Sequence, residues 1–158
     1  MTKADTASPH LLVEKRDGVT TITLNRPQKR NAFSPEMLVR LCDAWTDIRH
    51  DAQTRVVLLT GAGDKAFSSG GDMGTTIPLM MRTRQPQGEW EERFSADRKQ
   101  LGAAILREAE FFKPIVAAIN GYALAGGSEI LQSTDIRIAS TTSSFGLSEV
   151  QRGLVPGG

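Results

Sequence analysis

The sequence predicts an α/β domain in which a buried sheet is layered with helices. Three observations carry that expectation: a hairpin signal near the start, strand-length apolar runs alternating with helical spacings after it, and glycine-rich turns closing those runs. The hairpin comes first. Leu11–Arg16 and the alternating, β-branched Val19–Leu24 flank Asp17-Gly18, a dipeptide favoured by two-residue hairpin turns. A loop rich in basic and turn-forming residues, LNRPQKRNAFS, comes next. Ser34-Pro35-Glu36 then supplies an N-cap hydroxyl, a proline for the first helical position and an acid for the first turn. Met37, Leu38, Leu41, Trp45 and Ile48 continue at helical spacing, so this helix buries one face.

Residues 55–60 (RVVLLT) read as a buried strand running into the loop GAGDKAFSSGGDMG. Residues 75–94 are polar, contain Pro78 and Pro86, and read as an irregular, flexible excursion. Residues 97–111 carry helical spacing through Leu101, Ala104, Ile105 and Glu108, and Lys113-Pro114 ends the pattern. Residues 115–120 (IVAAIN) form a second buried run, followed by GYALAGGSE, a short helix over Ile130–Ser133 and a third buried run at Ile136–Ala139. The final SSFGLSEVQRGLVPGG is loop-like and stops without a closing element. The expectation is therefore one domain over residues 1–158, truncated, with its C-terminal helical part missing from this chain.

Composition narrows the class. With 39% hydrophobic and 23% charged residues the chain has the balance of a folded domain, not a disordered one. No apolar run approaches the roughly 20 residues that span a bilayer, and the opening MTKADTASPH resembles neither a signal nor a transit peptide. A soluble, cytoplasmic protein with no membrane partner is expected. A net charge of +1 gives no reason to expect nucleic acid. The single cysteine, Cys42, rules out an internal disulfide and reads as a small core hydrophobe. His10 and His50 lack partners at metal-ligand or triad spacing and read as solvated, so no metal is expected and acid–base chemistry falls to carboxylates.

Two glycine-rich turns, GAGDKAFSSGGD and GYALAGGSE, each follow a strand-like run. Glycine lets a backbone approach a ligand closely, and one N–H from each turn would make a main-chain oxyanion hole. The segment GAGDKA also fits a dinucleotide fingerprint, but the residues after it read as loop where that fingerprint needs a helix. Glu129 directly follows the second glycine turn, and Glu149 comes after Phe145-Gly146, beyond the third run. Two carboxyls brought to one place can divide acid and base roles.

In order and in spacing, LNRPQKRNAFS, GAGDKAFSSGGDM, AAINGYALAGGSEI, DIRIAS and FGLSEVQRGLVPGG resemble the enoyl-CoA hydratase/isomerase (crotonase) family. The resemblance covers the chain from about residue 11 onward and implies a ββα spiral that binds acyl-CoA thioesters. It implies that Gly71 and Gly126 donate their amides to the thioester oxygen, and that Glu129 and Glu149 are the two acid–base groups of a hydratase. In that assignment Glu149 delivers a proton and Glu129 activates water. The resemblance places CoA near Arg30 and Ala32 and along Lys65, Ala66 and Phe67, with Gly70, Asp72 and Met73 also contacting substrate. CoA belongs to the substrate, so no separate cofactor is implied. A homotrimer or hexamer is implied where the C-terminal helices exist. A double-bond isomerase or another crotonase reaction, or an inactive truncated acyl-CoA-binding module, are the alternatives.

Overall fold

The computed structural model describes residues 8–97, 99–107 and 110–157. β1 (Leu11–Arg16) and β2 (Val19–Leu24) form the expected hairpin, with Arg16 opposite Val19. Its turn residues Asp17 and Gly18 have φ of 52° and 82°, the paired positive values of a type I′ turn. α1 (Pro35–His50) starts as expected: the Ser34 hydroxyl accepts the Met37 N–H at 3.2 Å.

After α1 the strands come in pairs. These are β3 (Val56–Gly61) with β4 (Ala66–Ser68), β5 (Ile115–Ile119) with β6 (Tyr122–Leu124), and β7 (Ile136–Ala139) with β8 (Phe145–Gly146). The first member of each pair extends a five-stranded sheet ordered β1-β2-β3-β5-β7, parallel from β2 onward. The second member joins a separate parallel sheet ordered β4-β6-β8. Helical segments come after each pair: α2 (Thr76–Met80), α3 (Glu89–Ala96) and α4 (Gln100–Ala104) after the first, and α5 (Gly126–Glu129) with a 3₁₀ turn, Ile130–Ser133, after the second. A 3₁₀ turn, Glu149–Arg152, lies after the third. This strand–strand–helix repeat is the ββα spiral that the family resemblance implies.

One sheet face is dry. Ile22, Leu24, Val57, Leu59, Ile115, Ala117 and Ile119 alternate along β2, β3 and β5 and are buried with Met37, Leu38, Leu41, Trp45 and Ile48 of α1. The Trp45 indole N–H donates to the Ala104 carbonyl at 2.8 Å, and its ring meets Phe111 edge-on at 5.3 Å, which docks α4 and the segment after it onto α1. Half-buried Cys42 packs against this core, and burial raises its thiol pKa to about 11.

Several expectations are corrected. Residues 75–94 contain α2 and most of α3, because Trp90 and Phe94, four residues apart, give α3 an apolar stripe against α1. Pro78 is tolerated in the first turn of α2, where its missing N–H has no intrahelical partner anyway. The helix expected over 97–111 is α-helical only at Gln100–Ala104, and Leu106, at φ 57°, stops it; Glu108 lies outside the described residues. The loops after the main strands contain the short β4, β6 and β8. β3 and β5 bury one face and half-expose the other, whereas every residue of β7 is exposed. Among the described residues β7 is an edge strand paired only with β5, and apolar composition cannot supply a covering layer. Among the described residues no helix is long and apolar enough to cross a membrane.

His10 is also not simply solvated. Its Nδ1 lies 2.8 Å from the Ser34 hydroxyl and 3.1 Å from a Glu36 oxygen, tying the start of β1 to the N-terminus of α1. Burial lowers the imidazole pKa, and the Glu36 carboxylate only partly opposes that. The folded chain thus binds this proton more weakly than the unfolded chain. The associated stability is fully present above the ordinary histidine value near pH ~6.5 and is lost as pH falls through the lower folded value. Melting curves from about pH 8 to about pH 5 should therefore lose Tm more steeply for the parent than for His10→Gln; equal slopes would remove His10 from this role.

Candidate active site

Parallel register places the C-terminal ends of the main strands along one edge: Leu24 opposite Gly61, Thr60 opposite Ala118, Ile119 opposite Ala139. The loops leaving that edge build the site, as the geometry of parallel sheets favours. Asn31, fully buried and at φ 52°, holds the first loop. Its amide donates to the Ala62 and Ala66 carbonyls at 2.9 and 2.8 Å, and its side-chain oxygen accepts the Arg26 N–H at 2.9 Å.

The two glycine turns meet. Gly70 lies just past β4 at φ 84°, and a Cβ on it would stand 2.7 Å from the Ala125 Cβ, 2.9 Å from the Leu124 carbonyl oxygen and 3.0 Å from the Gly126 nitrogen. The next residue, Gly71, is thereby brought beside Gly126. Neither the Gly71 nor the Gly126 N–H donates to any described acceptor. Gly126 is the first residue of α5, where the helix itself offers no acceptor. Ala125, at φ 50° and ψ −128°, makes the turn from β6 into α5 in a conformation that costs an L-residue about 1–3 kcal/mol.

Both glycines line one cavity of about 630 Å³. Ala32, Phe33, Met73, Ile77, Met80 and Leu124 give it apolar walls, and Lys29, Arg30 and Arg152 also border it. Glu129 faces it from α5 and is only 8% exposed. One of its carboxylate oxygens lies 3.6 Å from the ideal Gly126 Cβ position, and the other accepts the Gly157 N–H at 2.8 Å. Glu149, which opens the 3₁₀ turn after β8, lines the same cavity. Its Oε2 is sealed from solvent and has no partner among the described residues. A buried oxygen in that state calls for a hydrogen-bond partner, and the cavity is where a ligand or water would provide one.

Of the residues singled out from sequence, Gly71, Gly126, Glu129, Glu149, Arg30, Ala32, Asp72 and Met73 come together on this cavity. Gly70 packs behind it against Ala125. Lys65, Ala66 and Phe67 are not on its wall; Ala66 and Phe67 are buried in β4, and the Lys65 backbone packs on Gly121. The Asp72 carboxylate is turned to Arg26 at 2.8 Å and accepts the Gly74 and Thr75 N–H groups. Burial pushes its pKa up, but these hydrogen bonds and the guanidinium charge outweigh that and hold it below the usual value. Sequence reasoning missed Phe33, Ile77 and Met80. Phe33 lies inside the LNRPQKRNAFS motif, while Ile77 and Met80 fall in the stretch that reads as irregular.

The contact between the turns sets opposite expectations for two small substitutions. Gly70→Ala places a methyl group against backbone at a positive φ and should lower stability by about 2 kcal/mol or more. Ala125→Gly relieves the strained turn, offsetting the added freedom of the unfolded chain, and should change stability by less than about 1 kcal/mol. Urea denaturation distinguishes them; a neutral Gly70→Ala would mean the turns are not in tight contact.

Residues 14–158 match the family model for enoyl-CoA hydratase/isomerase. The chain is 41% identical over 139 residues to the (E)-benzylidenesuccinyl-CoA hydratase of Thauera aromatica, covering 88% of this chain and 50% of that one. It is 39% identical over 152 residues to enoyl-CoA hydratase EchA19 of Mycobacterium tuberculosis, covering 96% and 54%. The crystal structure of enoyl-CoA hydratase EchA1 from Mycobacterium marinum superposes with a TM-score of 0.75 at 37% identity, over 95% of this chain and 53% of that one. The chain spans about half the length of the curated relatives it matches. With nearly all of its residues inside the family match, and with the two glycine turns and paired strands in place, the chain belongs to the enoyl-CoA hydratase/isomerase (crotonase) family.

Proposed function

We propose that this protein is an enoyl-CoA hydratase, adding water across the 2,3-double bond of an acyl-CoA thioester. The observation that carries this reading is the convergence on one cavity of two carboxyl groups and two backbone donors without a described acceptor. The hydratase names of the relatives point the same way.

The thioester oxygen accepts the Gly71 and Gly126 N–H groups, which makes C3 of the enoyl group electrophilic. Glu129 takes a proton from water as the water oxygen bonds to C3. The electron pair of the double bond moves onto the thioester oxygen as an enolate, and the two amides stabilise that charge where it develops. Each such donor is worth about 3 to 4 kcal/mol in related chemistry. Glu149 then gives its proton to C2 and the carbonyl reforms. A proton returned from Glu129 to Glu149 resets both groups, so the net change is one water added. Lys29, Arg30 and Arg152, bordering the same cavity, suit the anionic phosphates of CoA.

Loss of the conjugated-enone absorbance of crotonyl-CoA measures the reaction in the intact protein. Glu129→Gln and Glu149→Gln should each lower kcat by about 10²- to 10⁴-fold while KM changes little. An isomerase working through one carboxyl would lose activity in only one of the two variants. Heat of thioester binding without any absorbance change would mark a binding module instead. Variants that turn over like the parent would end the hydratase reading.

A further inference from the structure

Gly71 sits between two residues whose backbones are pinned. The Gly70 N–H donates to the Ser68 hydroxyl at 3.2 Å, and the Gly70 carbonyl accepts the Phe33 N–H at 2.8 Å. The Asp72 N–H donates to the Phe33 carbonyl at 3.0 Å. Of these three consecutive amides, only that of Gly71 has no described acceptor. The Asp72 side chain completes the hold. One oxygen accepts the Gly74 and Thr75 N–H groups at 2.8 and 3.2 Å, and the other accepts the Arg26 guanidinium at 2.8 Å. The same Arg26 Nη1 donates to the Ala32 carbonyl at 2.9 Å, so one nitrogen joins the loop after β2 to the turn after β4.

Packing alone does not account for this arginine. Its side chain is 10% exposed, that of Asp72 is 13% exposed, and Arg26 Nε is buried without a partner among the described residues. Desolvating a guanidinium is costly, and a buried ion pair gains little over an apolar side chain of similar volume. What an apolar side chain cannot provide is a directed hold on the Asp72 carboxylate. Arg26 is not on the cavity wall; it touches two residues that are, Asp72 through its carboxylate and Ala32 through its carbonyl.

We propose that Arg26 and Asp72 are positioning residues for the Gly71 N–H: the ion pair fixes the turn so that this donor stays aimed at the thioester oxygen. The proposal rests on the assignment of Gly71 and Gly126 as the oxygen-binding pair. It predicts that breaking the ion pair weakens stabilisation of the developing charge more than it weakens substrate binding.

Two readouts test it in the intact protein. In crotonyl-CoA hydration, Arg26→Met should lower kcat by roughly 10- to 100-fold with KM within about threefold, and Arg26→Lys should recover part of the loss. Adding Asp72→Asn to Arg26→Met should cost little more than Arg26→Met alone, because the two act as one unit. The second readout needs no turnover. An aryl-substituted enoyl-CoA absorbs further to the red when its carbonyl is polarised, so the parent should red-shift the bound probe. Arg26→Met should bind it with similar affinity and a smaller shift. If Arg26→Met does not fold, Arg26→Lys and Asp72→Asn carry the same comparison. A folded variant with the full red shift and parental kcat overturns the proposal, as does a loss confined to KM or to melting temperature. A parent that red-shifts the probe without hydrating crotonyl-CoA sinks the hydratase reading alone. A parent that binds the probe without any shift sinks the oxygen-binding pair and this proposal with it.

Discussion

Main chain meets main chain where the two glycine turns touch, and the candidate site depends on that contact. A Cβ on Gly70 would lie 2.9 Å from the Leu124 carbonyl oxygen, and one on Gly127 would lie 2.4 Å from that of Ser68. The turn after β4 and the turn after β6 are therefore interlocked from both sides. Contacts between side chains can repack by rotamer changes, but a backbone contact of this kind admits only glycine. This contact brings the turn that carries Gly71 up to Gly126, because the Gly70 Cβ position lies 3.0 Å from the Gly126 nitrogen.

Backbone carbonyls at the strand ends and in the turns of this edge also need donors. Two asparagines supply them. Asn31 satisfies the Ala62 and Ala66 carbonyls, and Asn120 satisfies those of Gly61 and Gly63 at 2.8 and 2.7 Å. Each reaches across from the end of a neighbouring strand or its loop. The result is a rim at the carboxyl edge of the main sheet in which two side-chain amides tie strand ends to turns.

Where local chemistry decides structure, the sequence could be read. Asp17-Gly18 requires paired positive φ values, and Ser34-Pro35-Glu36 can do little except start a helix, so the hairpin and α1 were legible. The apolar runs of β3 and β5 were equally plain. Illegibility begins where neighbours decide. Ile136 and Ile138 look like core yet are 55% and 63% exposed, since burial belongs to whatever packs on a strand. β4, β6 and β8 span three, three and two residues, too short for alternation to register. In the site, the glycine clusters and the positions of the two glutamates announced themselves. The Arg26–Asp72 pair, 46 residues apart in sequence, left no local trace.

The small sheet explains how four groups reach one cavity. Its order, β4-β6-β8, puts β6 in the middle. β4 leads to Gly71, β6 to Gly126 and Glu129, and β8 to Glu149. Gly126 and Glu129 share the four-residue α5, so one donor and one carboxyl move as a single body. The second donor is set against that body by the β4–β6 pairing and the glycine contact. The second carboxyl is set by the β6–β8 pairing, Ala123 with Phe145 and Leu124 with Gly146. A shift between β4 and β6 would separate the donors while sparing the carboxyl pair. A shift between β6 and β8 would do the reverse. The two halves of the chemistry, charge stabilisation and proton transfer, thus depend on different strand pairings that share one central strand.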